Sequence, residues 1–228
     1  MKKIVLGLFF LLSFAALAWA QATPAPAAAT PTPAPDNGPK TAEDFFQLAV
    51  SRFQLGDLAG AERNARTAMA LQSRFLDAHY LLGRVMLFRA AEKNRVLIEN
   101  RGADSAVLPV TDKWTEGGPE LQEATSQFRT VIQLEPTNRD AWLLLATCLD
   151  NMGEDDDAIN AYQQTINLDP SKPTARDAHN NLGLLLMGRK DYKGAKSHFD
   201  SALAIDPTFN PSRMNLEKLK KKAPKLFK

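Results

Sequence analysis

The sequence predicts an all-α solenoid of four helical hairpins closed by a C-terminal capping helix, on three observations. The chain repeats itself: Ala158–Pro170 (AINAYQQTINLDP) lies over Ala195–Pro207 (AKSHFDSALAIDP) and Ala124–Pro136 (ATSQFRTVIQLEP), each with an aromatic four residues after the Ala and Pro after twelve. A second kind of segment precedes each of these, opening at Asp77 (DAHYLLGRVM), Asp140 (DAWLLLATCL) and Asp177 (DAHNNLGLLL), with Gly83, Ala146 or Gly183 in its middle. In both kinds the apolar positions recur at helical spacing, and the small residues let a partner helix approach closely. A single hairpin of this kind cannot bury its apolar face, so the copies must stack.

The elements follow in chain order. Residues 1–20 read Met1-Lys2-Lys3, an apolar run from Ile4 to Leu17, then Ala18-Trp19-Ala20, the pattern of a secretory signal peptide cleaved near Ala20. Residues 21–40 hold six prolines among Ala and Thr, a linker that reaches about 60 Å in polyproline geometry. The repeat domain is expected over 41–209. Its first copy, about 42–75, has Thr41 and Asp44 at capping-box spacing, Ala49 and Ala61 in the small positions, and no closing Pro.

The second copy, about 76–138, is interrupted. Its small positions, Gly83 and Ala124, are 41 residues apart where the other copies have 12, so 29 residues are inserted, within about 88–119. Leu87, Ala91 and Ile98 continue the helical pattern, so the first helix is expected to overshoot by two or three turns and to end at Gly102. A loop with an apolar stretch at Val107–Val110 and with Trp114 follows, and Pro119 restarts a helix. The third copy covers about 139–172 and the fourth about 176–209, with three extra residues in the turn between them. Over 210–228, Met214, Leu216 and Leu219 mark a short capping helix that runs into a basic tail.

These positions resemble the tetratricopeptide repeat of exported bacterial proteins, whose pattern sets an aromatic, Leu-Gly and Tyr on one helix, then Ala, an aromatic and Pro on the next. The third copy carries it in Trp142, Leu145, Ala146, Gly153, Ala158, Tyr162 and Pro170; the fourth in Leu182, Gly183, Tyr192, Ala195, Phe199, Ala202 and Pro207. The second does so in Leu82, Gly83, Ala124, Phe128 and Pro136. The first keeps Phe45, Leu48, Gly56, Ala61 and Ala68 but departs at Arg52, Ala65 and Ser73.

The resemblance implies that the first helices line a concave groove holding a protein or peptide segment. By matching position its candidate binding residues are Phe46, Val50 and Phe53; Tyr80, Arg84 and Leu87; Leu143, Thr147 and Asp150; and Asn180, Leu184 and Met187, with Trp114 added from the insertion. Phe46, Val50 and Leu143 stand where some members place the Lys and Asn residues that clamp a terminal carboxylate, so an apolar-anchored segment is the expected ligand. The insertion is expected either to fold over the groove or to form a second contact site.

Charge excludes other partners. The chain has 28 basic and 26 acidic residues, and loss of Lys2 and Lys3 would leave them equal. Six lysines crowd the last thirteen residues, so the body is mildly acidic; no nucleic-acid partner is expected, and Lys220, Lys221 and Lys222 are candidates for contact with an anionic surface. The lone Cys148 cannot pair within the chain and falls in an apolar helical run. Three histidines without metal-ligand spacing, no Gly-rich phosphate loop and no nucleophile elbow predict neither enzyme, metal nor cofactor. Glu154–Asp157 read as carboxylates at a helix start. The expected function is a protein-binding scaffold of the cell envelope, periplasmic or secreted. The alternative is a module that docks on a membrane or envelope surface through the lysine-rich tail.

Overall fold

A computed structural model describes residues 39–100 and 117–228, without the side chains of 95–100. The expected signal peptide, nearly all of the linker, Gly102, Val107–Val110 and Trp114 lie outside the described residues. Among those described there are nine α-helices and no strand: α1 (Ala42–Gln54), α2 (Leu58–Leu71), α3 (Leu76–Asn100), α4 (Gly118–Leu134), α5 (Arg139–Met152), α6 (Asp155–Leu168), α7 (Pro173–Gly188), α8 (Tyr192–Ile205) and α9 (Asn210–Lys222), then a 3-10 turn at Pro224–Phe227. Each packs on its neighbours in sequence, so the chain is an all-α solenoid of helical hairpins, α1/α2, α3/α4, α5/α6 and α7/α8.

Local chemistry sets the helix ends. Thr41 and Asp44 form a reciprocal capping box: the Asp44 N–H donates to Thr41 Oγ1 at 3.1 Å and the Thr41 N–H to Asp44 Oδ2 at 2.9 Å. Asp57, Asn138 and Asp191 accept from the N–H groups of Gly60, Ala141 and Gly194. At the other ends Gly56, Gly153 and Lys190 follow first helices with φ of 77°, 82° and 65°. Lys190 alone carries a Cβ in this left-handed conformation, which glycine adopts freely. Lys190→Gly is therefore expected to stabilise the chain by about 0.5–1 kcal/mol, after the greater chain entropy of unfolded glycine is deducted. A denaturant midpoint that falls would contradict this.

The two helices of a hairpin meet where an aromatic ring lies over a small residue. Phe128 and Phe199 are fully buried against Gly83 and Gly183; a Cβ on either glycine would sit 2.8 or 2.6 Å from a ring carbon. The third hairpin has Ala146 as its small residue and buries Tyr162 in the equivalent place.

The insertion lengthens both helices of its hairpin, α4 by about one turn, to 17 residues where the other second helices have 14, and α3 by more. α3 has 25 residues against 14 in α5, about three more turns. The chain returns at Gly117, buried with φ 80°, where an added Cβ would fall 2.8 Å from Ala90 Cα. Pro119 then sits in the first turn of α4, and Lys93 and Glu120 join α3 to α4 in an ion pair.

The expected cap helix has a second character. Ser212 lies after Pro207 as Ala141 lies after Pro136, so α9 occupies the place of a fifth first helix. It packs on both α8 and α7. First helices touch the next first helix along the array, whereas second helices come less close to one another, so the first helices line the inside of the curve.

Candidate partner-binding groove

The inner face is built from the middle of the first helices, and its best-defined part lies between the first two hairpins. Phe53 on α1 meets Phe88 on α3 edge to face at 5.2 Å. The Arg84 guanidinium lies over the Phe53 ring at 4.9 Å and reaches the Tyr80 ring at 5.9 Å. Tyr80 in turn sets its ring against Phe128 at 6.0 Å. Burial, and then the Asp140 carboxylate, push the Tyr80 hydroxyl up to about 12, so it stays protonated at any physiological pH. The floor here is aromatic, with one cation already engaged by two rings.

Toward the other end Leu143 and Met187 are half-buried and Leu184 is 37% exposed. Thr147 donates its hydroxyl to the Leu143 carbonyl, and Asp150 accepts from the buried Tyr162 hydroxyl at 3.4 Å. Three of the expected residues are packing residues instead. Phe46 is 5% exposed, with its ring 5.0 Å from that of Phe75 at the start of the next hairpin. Leu87 is 4% exposed, one turn before Ala90, where the insertion returns. Asn180 is covered by α9: its Oδ1 accepts from Ser212 Oγ at 2.9 Å and from Asn215 Nδ2 at 3.0 Å.

Sequence reasoning missed two apolar groove residues. Phe88 follows the expected Leu87 and takes its place against Phe53. Met214, 46% exposed on α9, stands at the position of Leu143 once α9 is aligned as a first helix. The signal that finds Met214 is the shared Pro-Thr pair, Pro136-Thr137 and Pro207-Thr208, that precedes both helices.

The remaining polar groups are structural. Burial pushes the Cys148 thiol up to about 12, which keeps it an unreactive core group. Asp156 at the start of α6 pairs with Arg189 of the next hairpin at 2.6 Å. Among the described residues no three His, Cys, Asp or Glu side chains converge as metal ligands, and no helix is long and apolar enough to cross a membrane. His79 bridges Gln127 Oε1 and the Ser73 carbonyl, while in the fourth hairpin His179 Nδ1 faces His198 Nδ1 at 2.9 Å.

That His pair has a consequence for pH. Burial, and then the neighbouring His198, hold His179 down at about 4; burial also lowers His198, against the pull of Asp191. Above the unfolded value near 6.5 both states are neutral and nothing is lost. As pH falls toward 4 the unfolded chain takes up protons that the folded chain refuses, so stability falls across this window and then levels off. Melting temperature followed from pH 7 to 4 should show this decline, and His198→Gln, which copies Gln127, should flatten it. An unchanged slope would show that the pair does not set it.

Comparison with known proteins agrees with this architecture. The model of the tetratricopeptide repeat matches residues 120–182, and a second model of the same repeat matches 176–209. No curated relative matches the sequence. Among solved structures, MamA from Desulfovibrio magneticus RS-1 is 20% identical with a TM-score of 0.57 over 74% of this chain and 77% of its own. A thermophilic TPR protein of Thermus thermophilus is 19% identical with a TM-score of 0.55, over 79% and 82%. PilF of Pseudomonas aeruginosa is 17% identical with a TM-score of 0.61, over 81% and 69%. At these identities the likeness is one of fold.

Proposed function

The chain belongs to the tetratricopeptide-repeat family, and from that premise we propose that it is a protein-binding scaffold that holds a partner segment along its concave groove. The observation that carries this reading is the run of apolar side chains on the inner face, half-buried at Phe53, Tyr80 and Leu143 and exposed at Leu184 and Met214. The stacked Arg84 presents a flat, rigid surface on which a side chain can pack at little entropic cost. Binding rests on shape and apolar burial, with no bond made or broken. The envelope as the site of action is part of the proposal, supported by the export pattern of residues 1–20.

Site-specific photo-crosslinking tests it. A crosslinking residue in place of Leu184 or Met214 should trap a partner, whereas one in place of Ser197, exposed on the outer helix α8, should not. Equal trapping from Ser197 would count against a groove site.

A second reading draws on one observation: Lys220, Lys221 and Lys222 are exposed in the last turn of α9 and form no ion pair among the described residues. They could dock the chain on an anionic surface. Binding to anionic vesicles that vanishes at high salt and on truncation after Leu219 supports this; binding insensitive to salt refutes it.

A further inference from the structure

We propose that the segment held in the groove is cationic as well as apolar, an extended chain with Lys or Arg at about every third position; this rests on the groove reading above. Glu43, Asp77, Asp140 and Asp177 each stand six residues before the small residue of their first helix, Ala49, Gly83, Ala146 and Gly183. Equivalent positions on stacked helices form one row, so the four carboxylates line one edge of the apolar floor. The carboxylates influence one another along the row. Asp77 is raised by burial and then by Glu43 and Glu135; Asp177 is raised by burial and by Asp140 and Asp206, against Arg176.

Neutralisation within the chain is slight. Among the described residues no Lys or Arg forms an ion pair with Glu43, Asp77 or Asp140, while Asp177 is paired with Arg176. Arg84, on the floor, is occupied by the Phe53 and Tyr80 rings. A carboxylate at a helix start is favoured by the helix dipole anywhere. That general effect does not account for Asp177, which is the fifth residue of α7, a helix whose first turn holds no acid, yet which keeps the same place relative to its small residue as the other three.

The spacing sets the ligand. Packed helix axes lie roughly 8–10 Å apart, and a chain in the extended polyproline conformation advances about 3.1 Å per residue with about three residues per turn, so a side chain on every third residue points the same way and meets successive carboxylates. The residues between them face the apolar floor. A cationic segment gains four screened attractions there, and an acidic one meets four repulsions.

The test measures anisotropy of two labelled peptides, four Lys-Leu-Ala triplets and four Glu-Leu-Ala triplets, on the full chain, on Asp77→Asn/Asp140→Asn and on Phe53→Ala/Leu184→Ala. We expect the Lys peptide to bind at least about tenfold tighter than the Glu peptide at low salt. The Asn variant should lose most of that preference, and the Ala variant should lose affinity for both peptides. Equal binding of the two peptides, abolished in the Ala variant, overturns the charge inference and leaves the groove reading standing. Binding unaffected in the Ala variant overturns both. No binding of the Lys peptide, with self-association that ends when residues 220–228 are removed, replaces the proposed partner with a second copy of the chain.

Discussion

Phe128→Ala should cost about 3–5 kcal/mol, a large part of the 5–15 kcal/mol that keeps a domain folded. The ring is fully buried at the seam of the second hairpin, over Gly83 and edge-on to Tyr80. Its removal leaves a void that neither neighbour can fill. Gly83 has no side chain, and Tyr80 would have to leave the Arg84 stack to move inward. Collapse of the helices is resisted by the ion pairs on the flanks of α4, Arg66 with Glu123 and Lys93 with Glu120. Urea unfolding would show the midpoint falling sharply, and Phe128→Leu should fall by less than half as much. A loss below about 1 kcal/mol would mean that the seam is not where this hairpin is held. The groove is affected too, because Phe128 backs Tyr80 and hence the aromatic floor.

Gly117→Val should cost about 3 kcal/mol, through two separable effects. A β-branched residue at φ 80° bears the left-handed penalty of about 1–2 kcal/mol or more. Its Cβ also meets the backbone of Ala90 at 2.8 Å, and backbone cannot turn aside as a side chain can, adding about 1–3 kcal/mol. Gly117→Asn tells the two apart, since Asn tolerates the left-handed region and still carries the Cβ. If Asn is as costly as Val, contact with Ala90 dominates; if Asn is nearly neutral, backbone strain does. Thermal melts of the three proteins supply the comparison, and a Val variant as stable as the parent would refute both terms.

How much of this was legible in the sequence follows from what each feature depends on. The hairpins could be read because ring, small residue and closing Pro are set by contacts within one copy, and the insertion because it displaced Ala124 from Gly83 by a countable amount. The capping box of Thr41 and Asp44 is a pair of local hydrogen bonds and reads equally well. Exposure in the groove was less legible, because position along a helix gives the side that a residue faces and not what comes to lie on it. Phe46 is covered by a ring from the turn after α2 and Asn180 by α9, contacts that lie outside the pattern of the first helix itself. The acidic row escaped for a different reason: Glu43, Asp77 and Asp140 lie in the first turns of their helices, where the dipole favours each, and only the count back to the small residues unites them with Asp177, farther along α7.

The hydrogen bonds that Asn180 accepts from Ser212 and Asn215 bear on why the array stops. A stack of like hairpins has no intrinsic length, since each end offers the face that the next hairpin needs. At the C-terminal end that face contains the Asn180 carbonyl, buried and satisfied only by two donors that α9 brings. Any other helix laid there meets this carbonyl differently: α1 of another molecule, in the same register, places Asp44 where α9 has Ser212, so a carboxylate that cannot donate faces the Asn180 carbonyl at a cost of about 1–3 kcal/mol. The amide thus acts as a terminator: it admits the chain's own last helix and discourages end-to-end polymerisation of folded molecules into fibres.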